Sequence, residues 1–194
     1  MEVIVTMKNL KLSNVEAKFY ALLYQDLSIK DLEEWVYTSG ELESYLSATD
    51  YFEFISLDFN SKHIRSELEK IIEKYVDYGK FETLRMLDLL NKALRSDEDT
   101  GLVLITIYDL YCDGYYFLDK LGLEYGLTCL VPPNKYRVDS WEELSEEEQK
   151  ELIDGFYPKI IAEINRVIQL IETKKIILTG RKDEFDRWEY IINS

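Results

Sequence analysis

Tyr108–Gly126 reads YDLYCDGYYFLDKLGLEYG, with five tyrosines, three aspartates and three glycines in nineteen residues. Two readings compete. The acids and phenols either converge on a site, or they are the two sides of one helix. At about 100° per residue, Val103, Leu104, Ile107, Leu110, Tyr111, Tyr115, Phe117, Leu118 and Leu121 cover one broad apolar face. Asp109 and Asp113 fall opposite it, with Lys120 in the same arc, Tyr116 close by and Asp119 apart. This spacing predicts one long helix from the DEDTG loop to about Leu121, capped by Asp99 or Thr100. Tyr111 and Tyr115 should face inward, and Asp109, Asp113 and Tyr116 outward. Gly114 lies near the middle of the apolar face. A mid-helix glycine costs about 1 kcal/mol relative to Ala, so a close neighbour is expected against it.

Outward from this segment the helical signals continue. SNVE at Ser13–Glu16 has the capping-box pattern, and Val15, Phe19, Leu22 and Leu23 follow on one face. A second helix starts after Ser28 and stops at Gly40. ELESYL is a short helix or turn, and the aromatics of ATDYFEFISLDFNS fit a strand or a buried helix turn, read as helix because its neighbours are helical. Ser61–Tyr78 and Lys80–Arg95 are amphipathic and joined at Gly79, which predicts an antiparallel hairpin. Pro132 and Pro133 exclude helix at VPPN, the one plausible internal boundary, read as a loop within a single domain. Ser140 with Glu143 at +3 predicts the cap of the next helix. Pro158 opens the last clear one.

The two ends are ambiguous. EVIVTM has the β-branched content of an edge strand. In the tail, KIILT and RWEYII suit a hairpin around Gly180 or a final helix. The expected fold is therefore mainly α: one domain over residues 1–194, a bundle of about seven helices. A small β-hairpin or three-stranded sheet from the terminal segments accompanies it, with an all-α chain as the alternative.

The 194 residues are 46% hydrophobic and 31% charged, a globular composition. No apolar run approaches the roughly 20 residues of a membrane span, and MEVIVTMKNLKLS lacks the pattern of a secretory signal. Two cysteines, Cys112 and Cys129, make no disulfide framework. A cytoplasmic protein is expected, with both thiols reduced. The net charge of −15 is uneven. Residues 97–156 carry 4 basic and 15 acidic side chains, and residues 1–60 carry 4 and 11. A field of this sign repels nucleic acid and anionic lipid and attracts basic proteins.

Catalytic patterns are missing. The one histidine, His63, cannot make a multi-histidine zinc site, and the cysteines lack metal spacing. No nucleophile motif, GxxxxGK[ST] or GxGxxG occurs. With 38 acids, the Asp109/Asp113 spacing is expected by chance. No catalytic residue, metal ligand or cofactor is assigned. Trp141 follows Ser140 among Asp139, Glu142 and Glu143. It is either a core anchor for the VPPN loop or the aromatic centre of an acid-rimmed surface. The candidate partner-binding set is Asp97, Glu98, Asp99, Asp109, Asp113, Tyr116, Asp139, Trp141, Glu142 and Glu143.

The phrases SIKDLEEWVY, ELESYL, ISLDFN and YDLYCDGYYFLDKLGLEYGL resemble small acidic bacterial proteins, among them immunity proteins encoded beside polymorphic toxins. The resemblance spans Ser28 to Leu127 and carries no catalytic motif. It implies inhibition by binding, with an acidic surface covering a basic toxin domain. An enzyme with a carboxylate or metal site and a DNA-mimic inhibitor are the alternatives. The sequence does not set the oligomeric state.

Overall fold

The same four-residue device opens three helices of the amino-terminal half. In SNVE, SIKD and SATD the serine hydroxyl accepts the backbone N–H of the acid three residues on: Ser13 from Glu16, Ser28 from Asp31 and Ser47 from Asp50. Each bond satisfies one of the orphan donors of a helix start. These serines place α1 (Asn14–Leu23), α2 (Ile29–Thr38) and α4 (Ala48–Ile55). The short α3 (Glu41–Tyr45) lies between the last two, and α5 (Ile64–Ile72) follows. The computed structural model describes residues 12–24, 27–96 and 99–193. The expected N-terminal strand in residues 1–7 lies outside them.

The chain divides into two compact units, Met1–Asp77 and Tyr78–Ser194, where sequence reading gave one domain. The division falls between α5 and α6, not at VPPN, so the two helices expected to form a hairpin belong to different units. The amino-terminal unit closes around Phe19, Leu22, Leu32, Leu42, Phe54 and Leu68. Phe19 stacks on Phe54 at 6.0 Å and meets Tyr45 edge-on at 6.1 Å. Buried Tyr20 donates its hydroxyl to the Asp77 carbonyl at 2.5 Å.

In the carboxy-terminal unit, α6 (Tyr78–Arg95) packs with both α7 (Thr100–Cys112) and α10 (Lys159–Glu172). Between α7 and α10 lie a 3-10 turn (Tyr116–Leu118), a π-helical segment (Leu121–Gly126), α8 (Leu127–Leu130), two further 3-10 turns and α9 (Glu146–Asp154). Strands β1 (Ile176–Lys182) and β2 (Trp188–Ile192) form an antiparallel hairpin. Ten α-helices are present among the described residues, not about seven. ELESYL and LTCL add short ones, and the break after α7 divides the rest.

That break corrects the reading of the opening stretch. The helix ends at Cys112 with Asp113 as its C-cap, and Gly114 takes φ +121°. A Cβ there would be strained, and it would sit 2.8 Å from the Trp188 carbonyl oxygen. The close neighbour expected against Gly114 exists, but it is the backbone of β2 at a helix end. Trp188 donates its N–H to the Asp113 carbonyl at 2.7 Å. The apolar face of α7 is as expected, with Val103, Leu104, Ile107 and Leu110 buried. Tyr115 is fully buried and Tyr111 half-buried.

Three boundaries move for local reasons. Gly79 lies inside α6, and the preceding helix ends at Ile72. Gly40 has φ −78° and begins α3 instead of terminating α2 in a left-handed cap. Ser140 caps no α-helix. The working capping box is Ser145 with Glu148, so α9 starts five residues later. The hairpin turn lies at Asp183–Asp186, where Asp183 accepts from Asp186. Gly180 is inside β1, at an irregularity between Leu178 and Lys182, pressed against Tyr78.

Candidate functional site

Trp141 begins a 3-10 turn, Trp141–Glu143, and is only 4% exposed. Its indole lies on Gly101 in the first turn of α7, so closely that a Cβ on Gly101 would overlap the ring. Gln149 of α9 donates to the carbonyls of Trp141 and Leu144 at 3.1 and 3.3 Å. Of the two roles open to Trp141, the structure therefore gives it the core one, tying the 3-10 turn to α7. Its remaining surface lines an open cleft of about 860 Å³ with Ser96, Asp99, Glu146, Lys150 and Asp154.

This buried frame holds a row of carboxylates in solvent. Asp139, Glu142, Glu143, Glu146, Glu147 and Asp154 are exposed. None of these six forms an ion pair among the described residues. Glu143 accepts the Asp139 backbone N–H at 3.0 Å. Glu148 accepts from the Ser145 backbone N–H and hydroxyl, which lower its pKa and keep it charged. Glu151 pairs with Lys135 at 2.7 Å. From Lys135 to Asp154 there are eight acids against three basic residues. The surface offers acceptors and negative field. Among the described residues, no group of three or more His, Cys, Asp or Glu side chains is placed to hold a metal ion.

The other candidates are dispersed. Asp97 and Glu98 lie outside the described residues. Asp99 precedes α7 without capping it, against expectation, since its backbone is already helical there and its side chain makes no cap bond. Asp109 and Asp113 are exposed as expected. Partial burial, then the charge of Asp113, raises the pKa of Asp109. Tyr116 is 49% exposed, but the break at Gly114 carries it off the helical stripe. Its ring meets Tyr111 edge-on at 6.0 Å. Lys120, placed with the two aspartates by periodicity, lies 4.0 Å from Glu163 of α10 instead. His63 precedes α5, exposed and making no cap bond.

Sequence reading missed one buried charge. The helical period of Lys80–Arg95 puts its apolar face on Phe81, Leu84, Leu87, Leu90 and Leu94. The residues fully enclosed or nearly so are Glu82, Met86, Leu90 and Ala93, with Leu87 beside them. Glu82 is 0% exposed. It accepts two bonds from Arg85, at 2.9 and 2.7 Å, and one from the Tyr115 hydroxyl at 3.1 Å. The i, i+3 spacing of Glu82 and Arg85 was the available signal, outweighed by the leucines. No protein-family model, curated protein or solved structure matches the chain.

Proposed function

We propose that the protein is an acidic protein-binding module whose carboxy-terminal unit takes a basic partner. The contact surface is Asp139, the Trp141–Glu143 turn and α9. The supporting observation is the row of exposed carboxylates that form no ion pair among the described residues, held on a frame fixed by buried Trp141. Such a surface speeds association with a positively charged protein and disfavours acidic competitors. The resemblance to immunity proteins makes the partner a basic toxin domain and the mode inhibition by coverage, within the cytoplasm. The described residues include no helix long and apolar enough to cross a membrane. Asp109 and Asp113, the acids on which a carboxylate enzyme would be built, lie exposed with no third His, Cys, Asp or Glu placed to share a metal ion among the described residues.

The test is binding to the product of the neighbouring gene. Stable association that weakens with salt, and weakens again in D139N/E142Q/E143Q/E147Q, supports the proposal. Association indifferent to both changes sinks it.

A further inference from the structure

The amino-terminal unit presents a surface of a different kind. Tyr37 on α2 is 60% exposed and Phe52 on α4 is 64% exposed, the largest exposures of any aromatic residue in that unit's described part. A contact of Tyr37 with the last turn of α4 links the two helices that carry them. The Tyr37 hydroxyl donates to the Ile55 carbonyl at 3.4 Å, one helical turn from Phe52, and the Tyr37 ring lies 6.1 Å from Phe59. Phe52 in turn lies 6.0 Å from Tyr51. Neighbouring aromatics left in water are an unusual use of apolar area. The charge around them is one-sided. From Asp31 to Asn60 there are eight acids and no basic residue. Of these acids, Asp50 alone forms an ion pair among the described residues, with Lys74. Exposed Glu34 shares the face of Tyr37 by its i−3 spacing, exposed Glu53 follows Phe52 directly, and exposed Asp58 precedes Phe59.

We propose that this α2–α4 face docks a basic, amphipathic protein segment. Arg or Lys side chains lie over the Tyr37 and Phe52 rings and against Glu34, Glu53 and Asp58, and apolar residues cover the remaining ring area. The commitment to a basic occupant comes from the charge. Cations are attracted both by ring faces and by the carboxylates, whereas a second copy would bring eight like charges onto eight. The inference concerns other residues in another unit, and does not rest on the surface proposed for α9.

The experiment is calorimetric titration of the full chain with a synthetic amphipathic peptide bearing Arg and Lys on one side and Leu on the other. A matched peptide has Glu at every basic position. The basic peptide should bind, and Tyr37→Ala with Phe52→Ala should weaken it about tenfold or more. Phe52→Ser alone, whose side chain is mostly in solvent, should weaken it less but measurably in a chain with unchanged circular dichroism. E184Q/E189Q, exposed hairpin acids outside both proposed surfaces, should leave this peptide affinity within about twofold. No binding by the wild type, equal binding of the Glu peptide, or affinity unchanged in both aromatic variants overturns the proposal. Self-association of the wild type through Phe52 overturns it as well.

Discussion

Tyr115 stacks on Trp188 with ring centroids 5.8 Å apart and planes 17° from parallel. The pair joins the turn after α7 to the start of β2. Beneath it Tyr115 donates to buried Glu82, and beside it Arg85 and Lys182 lie 5.9 and 5.1 Å from the Trp188 ring. This contact fixes the hairpin to the helices of the carboxy-terminal unit. Gly114 permits it, because only a residue without Cβ lets the Trp188 backbone approach.

Gly114→Ala should therefore destabilise the carboxy-terminal unit by about 2 kcal/mol or more, from the left-handed backbone and the overlap together. Thermal unfolding followed by tryptophan fluorescence measures it. A change within experimental error would show that β2 does not press on this turn.

Glu82→Ala removes the acceptor of both Arg85 and Tyr115. Breaking a buried pair costs about 3–5 kcal/mol. Arg85 is 35% exposed and regains water, so about 2–3 kcal/mol is expected here. Urea unfolding checks the value. Glu82→Gln should cost less, since its amide oxygen still accepts from Tyr115.

The two serines of SWEELSEEE separate cleanly. Ser145→Ala should cost about 1 kcal/mol, the usual loss for an N-cap. Ser140→Ala should stay within about 0.5 kcal/mol, because Ser140 makes no cap bond. Equal losses in denaturant unfolding would place the start of α9 at the earlier serine.

Burial pushes the Cys129 thiol up to about 12. The sign follows from proton binding. Between the unfolded thiol value of about 8.5 and the folded value, the folded chain keeps a proton that the unfolded chain has lost. The thiol's contribution is complete below the unfolded value and is lost as pH rises through the folded one. Unfolding titrations from neutral to alkaline pH should show stability falling in that window, and Cys129→Ala should flatten this part of the fall. Native-state alkylation should modify exposed Cys112 and spare Cys129.

Much of the fold was legible because its signals are local. The Ser13/Glu16 cap, the start of α2 after Ser28 and the face of Val15, Phe19 and Leu22 each need only neighbours a turn away. The sequence also placed Asp109 and Asp113 outward and Tyr115 inward. What it could not show is long-range. The end of α7 is set by a strand more than seventy residues later, and periodicity alone carries the helix past Gly114. Trp141 suited a core anchor or a surface centre, and the space at Gly101 for its indole decides for the core. Glu82 is buried because Arg85 and Tyr115 satisfy it, and a hydrophobic pattern reads any glutamate as solvent-facing. The acids of the candidate surface were visible as composition; their support on a Trp141 frame was not.

The most direct measurement is the association rate between this protein and the product of the neighbouring gene, at low and at high salt. It is made for the wild type and for D139N/E142Q/E143Q/E147Q. The account predicts a wild-type rate that falls at least tenfold with salt, and a variant that starts slower and falls less. A rate independent of salt and identical in the two proteins would contradict it.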